Sequence, residues 1–355
     1  METADSERMQ TISFYAALCL FLSAVEYAVP KPFPFMRLGL ANLPVLLSLS
    51  KMNKRDTLIL VLLKIAGQAL ISGTVFSYVT AFSAAGSLAS CFAMMILYAV
   101  CYRRNIISYA GLSIAGALAN NLAQIGMAHI MVFGANTKYI APVLLASGLV
   151  TGTALGIFAQ LFSERSSWYA GCTMHAAGVN GDKSEQCSAD AGMETSLHNK
   201  RNLAEFIIGM MLFPVFFLQK STAAVWIFTA VFYGMAMIRK HGRVRLLPSL
   251  LMTVAVTFFA LLSPYGKIIV LIGKFHITHD ALLSGLHKSG ILTGMVFLSQ
   301  FAVSSRMSIP GKAGRFLHRM MSVSDALGSE RIAFTRGHVI EAIDARLEKI
   351  WTEYV

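Results

Sequence analysis

Eight polar side chains stand inside otherwise apolar runs in the first half of this chain: Glu26, Asn42, Lys64, Gln68, Asn120, Asn121, Gln124 and His129. Polar groups in an apolar layer cost free energy unless they are partnered, so these are the natural candidates for binding chemistry. Asn120 and Gln124 are four residues apart and share one helix face, while Asn121 begins the adjacent one. Amides at this spacing can line a ligand cavity through neutral hydrogen bonds, and they can equally bond across helices as structural glue. Glu26 and Lys64 carry the sharper demand, since an uncompensated charge in such a layer is so unfavourable. They can pair with each other or bind a charged substrate group, and Lys64 can also extend its stem to the cytoplasmic surface.

Signatures of catalysis are missing. No GxxxxGK[ST] loop occurs, so ATP hydrolysis by that route is not expected of this chain. No GxSxG, HExxH or CxxC occurs either. No two aspartates are adjacent, which removes the DDxxD-type cluster that holds magnesium diphosphate in prenyl-chain synthases. The expectation is a protein that is not an enzyme, with no catalytic residues and no cofactor. Cys19, Cys91 and Cys101 fall in or beside apolar runs, where a thiol acts as a small hydrophobe. Cys172 and Cys187 flank His175 but lack a fourth ligand and the close spacing of a zinc site, so no metal is expected.

The elements that must position the polar residues are membrane helices. With 55% apolar residues, 14% charged residues and a mean hydropathy of +0.61, the chain lies outside the soluble range. The apolar runs are apolar on all faces rather than alternating, and many reach the roughly 20 residues needed to cross a bilayer. They predict an all-α, polytopic protein of about ten transmembrane helices. Six fall at 12–29, 38–50, 57–74, 76–102, 107–132 and 139–162, and four at 203–219, 222–238, 246–263 and 281–304.

Between the two sets, 163–202 is polar and rich in Gly, Ser and Ala, and reads as a flexible tether. The expected domains are 1–163, a linker over 164–202, a second membrane unit over 203–305 and a tail over 306–355.

The formal net charge is +12. Its Lys and Arg gather at span ends and in the tail, the distribution that topology and anionic lipid head groups produce, so membrane lipid rather than nucleic acid is the expected partner. Lys51, Lys54 and Arg55 follow span two, and Arg103 and Arg104 follow span four. Lys200 and Arg201 precede span seven, Arg239 to Arg245 follow span eight, and Arg306 to Arg319 follow span ten. All lie on one side if both termini are cytoplasmic. The acidic start, Glu2, Asp5 and Glu7, does not resemble a secretory signal, and the first apolar run reads as a retained span.

Pro30, Pro32 and Pro34 predict a stiff, non-helical outer connection. Gly148, Gly152 and Gly156 form a small-residue stripe suited to close helix packing. Past span ten the tail is basic and amphipathic. Phe316, Leu317, Met320, Met321 and Val323 make one apolar stripe, and Val339, Ile343, Leu347 and Ile350 another. Such helices lie on a membrane surface or dock in a partner's groove.

Several motifs carry a resemblance. Arg37-Leu38-Gly39-Leu40-Ala41-Asn42 after the proline-rich loop, Lys64, Ser72-Gly73, and the run from Gly116 to Gln124 (GALANNLAQ) resemble the membrane family known both as Gx transporters and as heptaprenyl diphosphate synthase component I. The likeness covers roughly 12–163. It is similar in turn to the substrate-binding S components of energy-coupling-factor (ECF) importers, whose six helices capture a vitamin-sized ligand. The resemblance implies a binding set of Glu26, Arg37, Asn42, Lys64, Gln68, Asn120, Asn121 and Gln124.

The second half resembles, more weakly, the transmembrane T component of those importers, whose coupling helices seat Ala-Arg-Gly-type motifs in the ATPase pair. Thr335-Arg336-Gly337 stands at the comparable place. The combined expectation is a transport subunit of the bacterial cytoplasmic (inner) membrane. It would bind a flavin-, vitamin- or prenyl-like molecule and work with separate ABC-type ATPase subunits. Two competitors are a membrane accessory subunit of polyprenyl diphosphate or quinone synthesis, and a scaffold of a membrane redox complex.

Overall fold

The chain was described from a computed structural model covering residues 2–28, 38–102, 106–171, 194–239, 246–262, 268–272, 275–303, 312–329 and 339–354. The N-terminal unit begins with α1 (Glu2–Ala28). A 3-10 turn (Leu40–Asn42) then leads into the short α2 (Leu43–Ser48), followed by α3 (Lys54–Ser72), α4 (Tyr78–Val100) and α5 (Tyr109–Ala128). A π-type turn over His129–Phe133 and a 3-10 turn over Gly134–Asn136 reverse the chain into α6 (Thr137–Arg165). Gly134 takes a positive φ of +54° at this reversal, a backbone that glycine adopts without a Cβ clash.

Helix starts and stops follow local chemistry. The Ser77 hydroxyl accepts the Val79 N–H at 3.2 Å to cap α4. Gly73, at φ +63°, ends α3 in the left-handed region, and its N–H reaches back to carbonyls of the last turn.

Five helical segments of the described residues are long and apolar enough to cross a membrane: Arg8–Glu26, Tyr78–Val100, Tyr109–Arg165, Thr222–Arg239 and His279–Ala302. The third contains both α5 and α6, which pack side by side as an antiparallel pair. This is fewer than the ten spans expected from hydropathy, and the shortfall has specific causes.

Residues 38–50 do not form a spanning helix, because α2 has 6 residues and rises only about 9 Å. The chain nevertheless crosses back here. Arg8, near the start of α1, donates to the Asp56 carboxylate at the start of α3. At the other end of α1, the Glu26 carboxylate accepts the Leu38 N–H at 2.8 Å. The return between Leu38 and Asp56 therefore spans the unit with a turn and a short helix, lined on both sides by protein. Irregular backbone is tolerated at such depth only when it is buried in this way.

The C-terminal unit holds α8 (Glu194–Phe217), α9 (Thr222–Arg239), α10 (Leu247–Leu261) and α11 (His279–Ala302). The apolar part of α8, Ala204–Phe217, and α10 are both shorter than a membrane span. A two-stranded antiparallel ribbon, β1 (Ile268–Ile272) and β2 (Phe275–Thr278), joins α10 to α11. The architecture is helical with this ribbon added, where the sequence reading expected helices alone. The run IIVLI is β-branched-rich and only five residues long, which favours a strand over a helix.

Inside this unit α11 is the central helix. Phe216, Val225, Phe232, Met295, Phe297 and Leu298 form its core. The Phe216 ring lies where a Cβ on Gly294 would have to go. Arg239 pairs with Glu205 and donates to the Phe301 carbonyl at 2.6 Å.

The two units meet along α4 and the α5–α6 reversal. Tyr78, Phe82, Val132, Phe133 and Ile140 share one buried cluster with Met252, Val256 and Leu292. Phe76 N–H donates to Ser299 Oγ at 3.1 Å, and Asn136 Nδ2 to the Phe259 carbonyl at 2.6 Å.

The tail departs most from expectation. Its helices α12 (Lys312–Ser329) and α13 (Val339–Tyr354) lay their apolar stripes on the N-terminal unit of the same chain. Met320, Val323, Leu327, Leu347 and Ile350 are buried with Phe14, Leu20 and Leu60, and the Trp351 ring sits 4.9 Å from that of Phe14. Ser167–Gly171, the first part of the stretch read as a flexible linker, forms a short helix, α7, with Trp168 and Tyr169 buried.

Gly148, Gly152 and Gly156 all face α5. A Cβ on Gly156 would sit 2.5 Å from the Ala110 Cα, and one on Gly152 3.1 Å from the Ile114 Cα, so backbone rather than a flexible side chain blocks both. Gly156→Leu is expected to force α5 and α6 apart at a cost of about 1–3 kcal/mol or more. A lowered melting temperature of the detergent-purified protein, against an unchanged value for Gly126→Ala, checks this; Gly126 faces open space.

Candidate functional site

Packing α2, α4, α5 and α6 together leaves a cavity between them. It holds about 390 Å³ of empty space, mouth included, and is narrow enough to take only water-sized molecules in this conformation. Three amides line it, Asn42, Asn120 and Asn121, with three hydroxyls, Ser90, Ser113 and Thr151. Leu38, Leu43, Leu46, Met94, Ala117 and Leu155 supply apolar wall, and Gly39 and Gly148 supply backbone. A mostly apolar wall with a few convergent polar groups is the usual make-up of a small-molecule site.

Each polar group is positioned by a neighbour. Asn120 Nδ2 donates to Asn121 Oδ1 at 3.2 Å, and Asn121 Nδ2 donates to the Leu144 carbonyl of α6. The adjacent amides therefore act as one hydrogen-bonded unit bridging α5 to α6. Gly148 makes room for it, since a Cβ there would collide with Asn121 Nδ2. Gly86 does the same on α4: a Cβ would collide with Asn120 Oδ1 and come within 3.2 Å of Gln124 Nε2.

Lys64 is 3% exposed and its ammonium donates to Asn42 Oδ1. That contact ties α3 to the cavity wall and places a positive charge directly behind an amide that faces the cavity. Glu26 is 2% exposed, and its two oxygens accept the Leu38 and Gly39 N–H groups at 2.8 and 3.2 Å. Gly39, at φ +86°, adopts the left-handed backbone needed to present this pair of amides. Glu26 thus shapes the rim through the backbone.

The structure brings Asn42, Asn120 and Asn121 to the cavity, with Lys64 behind them. Gln68 lies outside the lining, where it accepts the Ser83 hydroxyl at 3.1 Å. Gln124 is fully buried against Gly86, and neither its Nε2 nor its Oε1 has a hydrogen-bond partner among the described residues. His129 is exposed at the π-type turn. Arg37 and Thr335-Arg336-Gly337 lie outside the described residues.

Sequence reasoning missed the hydroxyls. Ser83, Gly86, Ser87 and Ser90 repeat at three- and four-residue steps on α4 and are all buried, a small polar stripe that a search for amides and charges passes over. Ser90 Oγ is buried at the cavity with no hydrogen-bond partner among the described residues. No group of three or more His, Cys, Asp or Glu able to hold a metal occurs among the described residues.

Fold and site together define a multi-pass helical membrane protein with a buried, neutral polar cavity in its N-terminal unit. Residues 15–162, most of the N-terminal unit, match the family model described as heptaprenyl diphosphate synthase component I. Residues 202–305 match a second family, described as a domain of unknown function. No curated protein and no solved structure matches the chain.

The hydrogen bonds rank the polar residues by structural cost. Glu26→Ala leaves the part-buried Leu38 and Gly39 N–H groups without this acceptor and is expected to destabilise by about 1–3 kcal/mol. Gln124→Leu removes an amide that has no partner in the described residues, and is expected to be neutral or slightly stabilising. Thermal melting of the two variants side by side checks the order, and a large loss in Gln124→Leu would show that its amide is bound.

Proposed function

We propose that the chain is a membrane subunit of an ECF-type importer, in which the N-terminal unit captures a small molecule and the remainder couples it to separate ATPase subunits. The observation that carries this reading is the convergence of Asn42, Asn120 and Asn121 with three hydroxyls on one narrow cavity inside a membrane bundle. Neutral donors and acceptors in an apolar wall suit a ring-bearing, vitamin-like molecule, with Lys64 behind Asn42 strengthening that amide's pull on an acceptor. Binding a ligand of that size requires the cavity to widen. The chain sits in a bacterial cytoplasmic membrane with both termini inside, and Thr335-Arg336-Gly337 forms the contact with the ATPases.

The family's description supports a second reading, a membrane accessory subunit of polyprenyl diphosphate synthesis. In that case the chemistry belongs to a separate synthase, since this chain has no adjacent aspartates for magnesium diphosphate.

Native mass spectrometry of gently purified protein tests the capture role. A retained small molecule is expected, with binding weakened about 5- to 30-fold in Asn120→Leu, the equivalent of one lost buried hydrogen bond. Co-purification separates the two readings: ABC-type ATPases support the importer, a prenyl synthase the accessory subunit. Arg336→Glu is expected to abolish ATPase association, and undiminished association would remove this motif from the coupling contact.

A further inference from the structure

Asp344, on α13, is 7% exposed, and its carboxylate is the acceptor for the start of α7. It takes the Ser166 hydroxyl, the Ser167 N–H at 3.0 Å, the Ser167 hydroxyl at 2.6 Å and the Trp168 N–H at 3.2 Å. One turn on, the Tyr169 hydroxyl donates to the Leu47 carbonyl of α2 at 2.9 Å and meets Ser50 Oγ at 2.6 Å. Burial pushes the Tyr169 phenol well above its ordinary pKa, so it stays a donor. Leu43 and Leu46, on the same short helix α2, are cavity wall.

A chain of contacts therefore runs from the tail to the cavity: Asp344 to α7, Tyr169 to α2, and α2 to the wall. The element at its end is the weakest of the four walls, a helix of 6 residues. A short helix cannot hold its position through its own hydrogen bonds and takes it from what it is tied to.

We propose that Asp344 and Tyr169 form a latch through which the position of α13 sets the position of α2 and hence the width of the cavity. Both are positioning residues and neither touches the cavity. The latch rests on the importer reading only for its purpose, which is to carry a partner's pull on the tail to the ligand site. Its mechanics stand apart from that reading.

Hydrogen–deuterium exchange on the full chain in detergent tests it without a ligand or a partner. Asp344→Ala is expected to speed exchange about tenfold in α7, and severalfold in 43–48, while α8–α11 is unchanged. Tyr169→Phe keeps the ring and removes the hydroxyl. It should loosen 43–48 alone, and adding Asp344→Ala to it should produce no further change there, the non-additivity expected of one relay. Trp351→Ala, which weakens the same docking from the aromatic side, should reproduce the Asp344→Ala pattern. Exchange that rises only in α7 and α13, or uniformly across all helices, or additively in the double variant, would overturn the latch. Failure of ABC-type ATPases to co-purify with the unaltered chain would instead count against the importer reading alone.

Discussion

Lys64 sits 3% exposed in the N-terminal bundle, and Asn42 accepts from its ammonium. A charge at such depth is tolerated only when a partner is held in place for it, and holding Asn42 there fixes the turn that starts α2. Glu26 imposes the same requirement at the rim, where two backbone N–H groups answer its carboxylate. These two buried charges anchor the described part of the return, Leu38 to Asp56, where the only α-helix is the short α2. The cavity exists because that return is short and bent where a full helix would have filled the space.

The remaining walls follow a different rule, close approach through missing side chains. Gly148, Gly152 and Gly156 bring α6 onto α5, and Gly86 opens α4 to Asn120 and Gln124. Amides on a helix interface need that room, because each must reach a partner without pushing the helices apart. The paired amides Asn120 and Asn121 thus serve packing through Leu144 and present polar edges to the cavity at once. The two roles of a membrane amide, glue and ligand contact, coexist here in adjacent residues.

The tail adds a third level. Among the described side chains, Met320, Val323, Leu327, Leu347 and Ile350 are buried within the chain. Met320 illustrates the fit: its methyl end fills the space over Gly67 beside Leu20. Because α12 and α13 pack on the N-terminal unit, α1 and the tail helices share one core, and α8–α11 packs against that body through a separate interface.

The sequence by itself determined the class of protein, the places of the long helices and the buried amides and charges of the first half, though not the buried hydroxyls. Those are local properties: hydropathy over some 20 residues, glycine and proline punctuation, and the cost of a charge in an apolar run. Tertiary structure decided what depends on distant partners. It made 38–50 a bent return instead of a span, since its ends are fixed by Glu26 and by Asp56, neither inside that segment. It selected Asn42, Asn120 and Asn121 for the cavity and turned Gln68 toward Ser83, a choice set by helix rotation and invisible to spacing alone. It docked the amphipathic tail in cis, where the pattern fixed only that some apolar surface would receive it. An amphipathic stripe specifies the need for a partner; the partner is supplied by whichever complementary surface the rest of the fold presents.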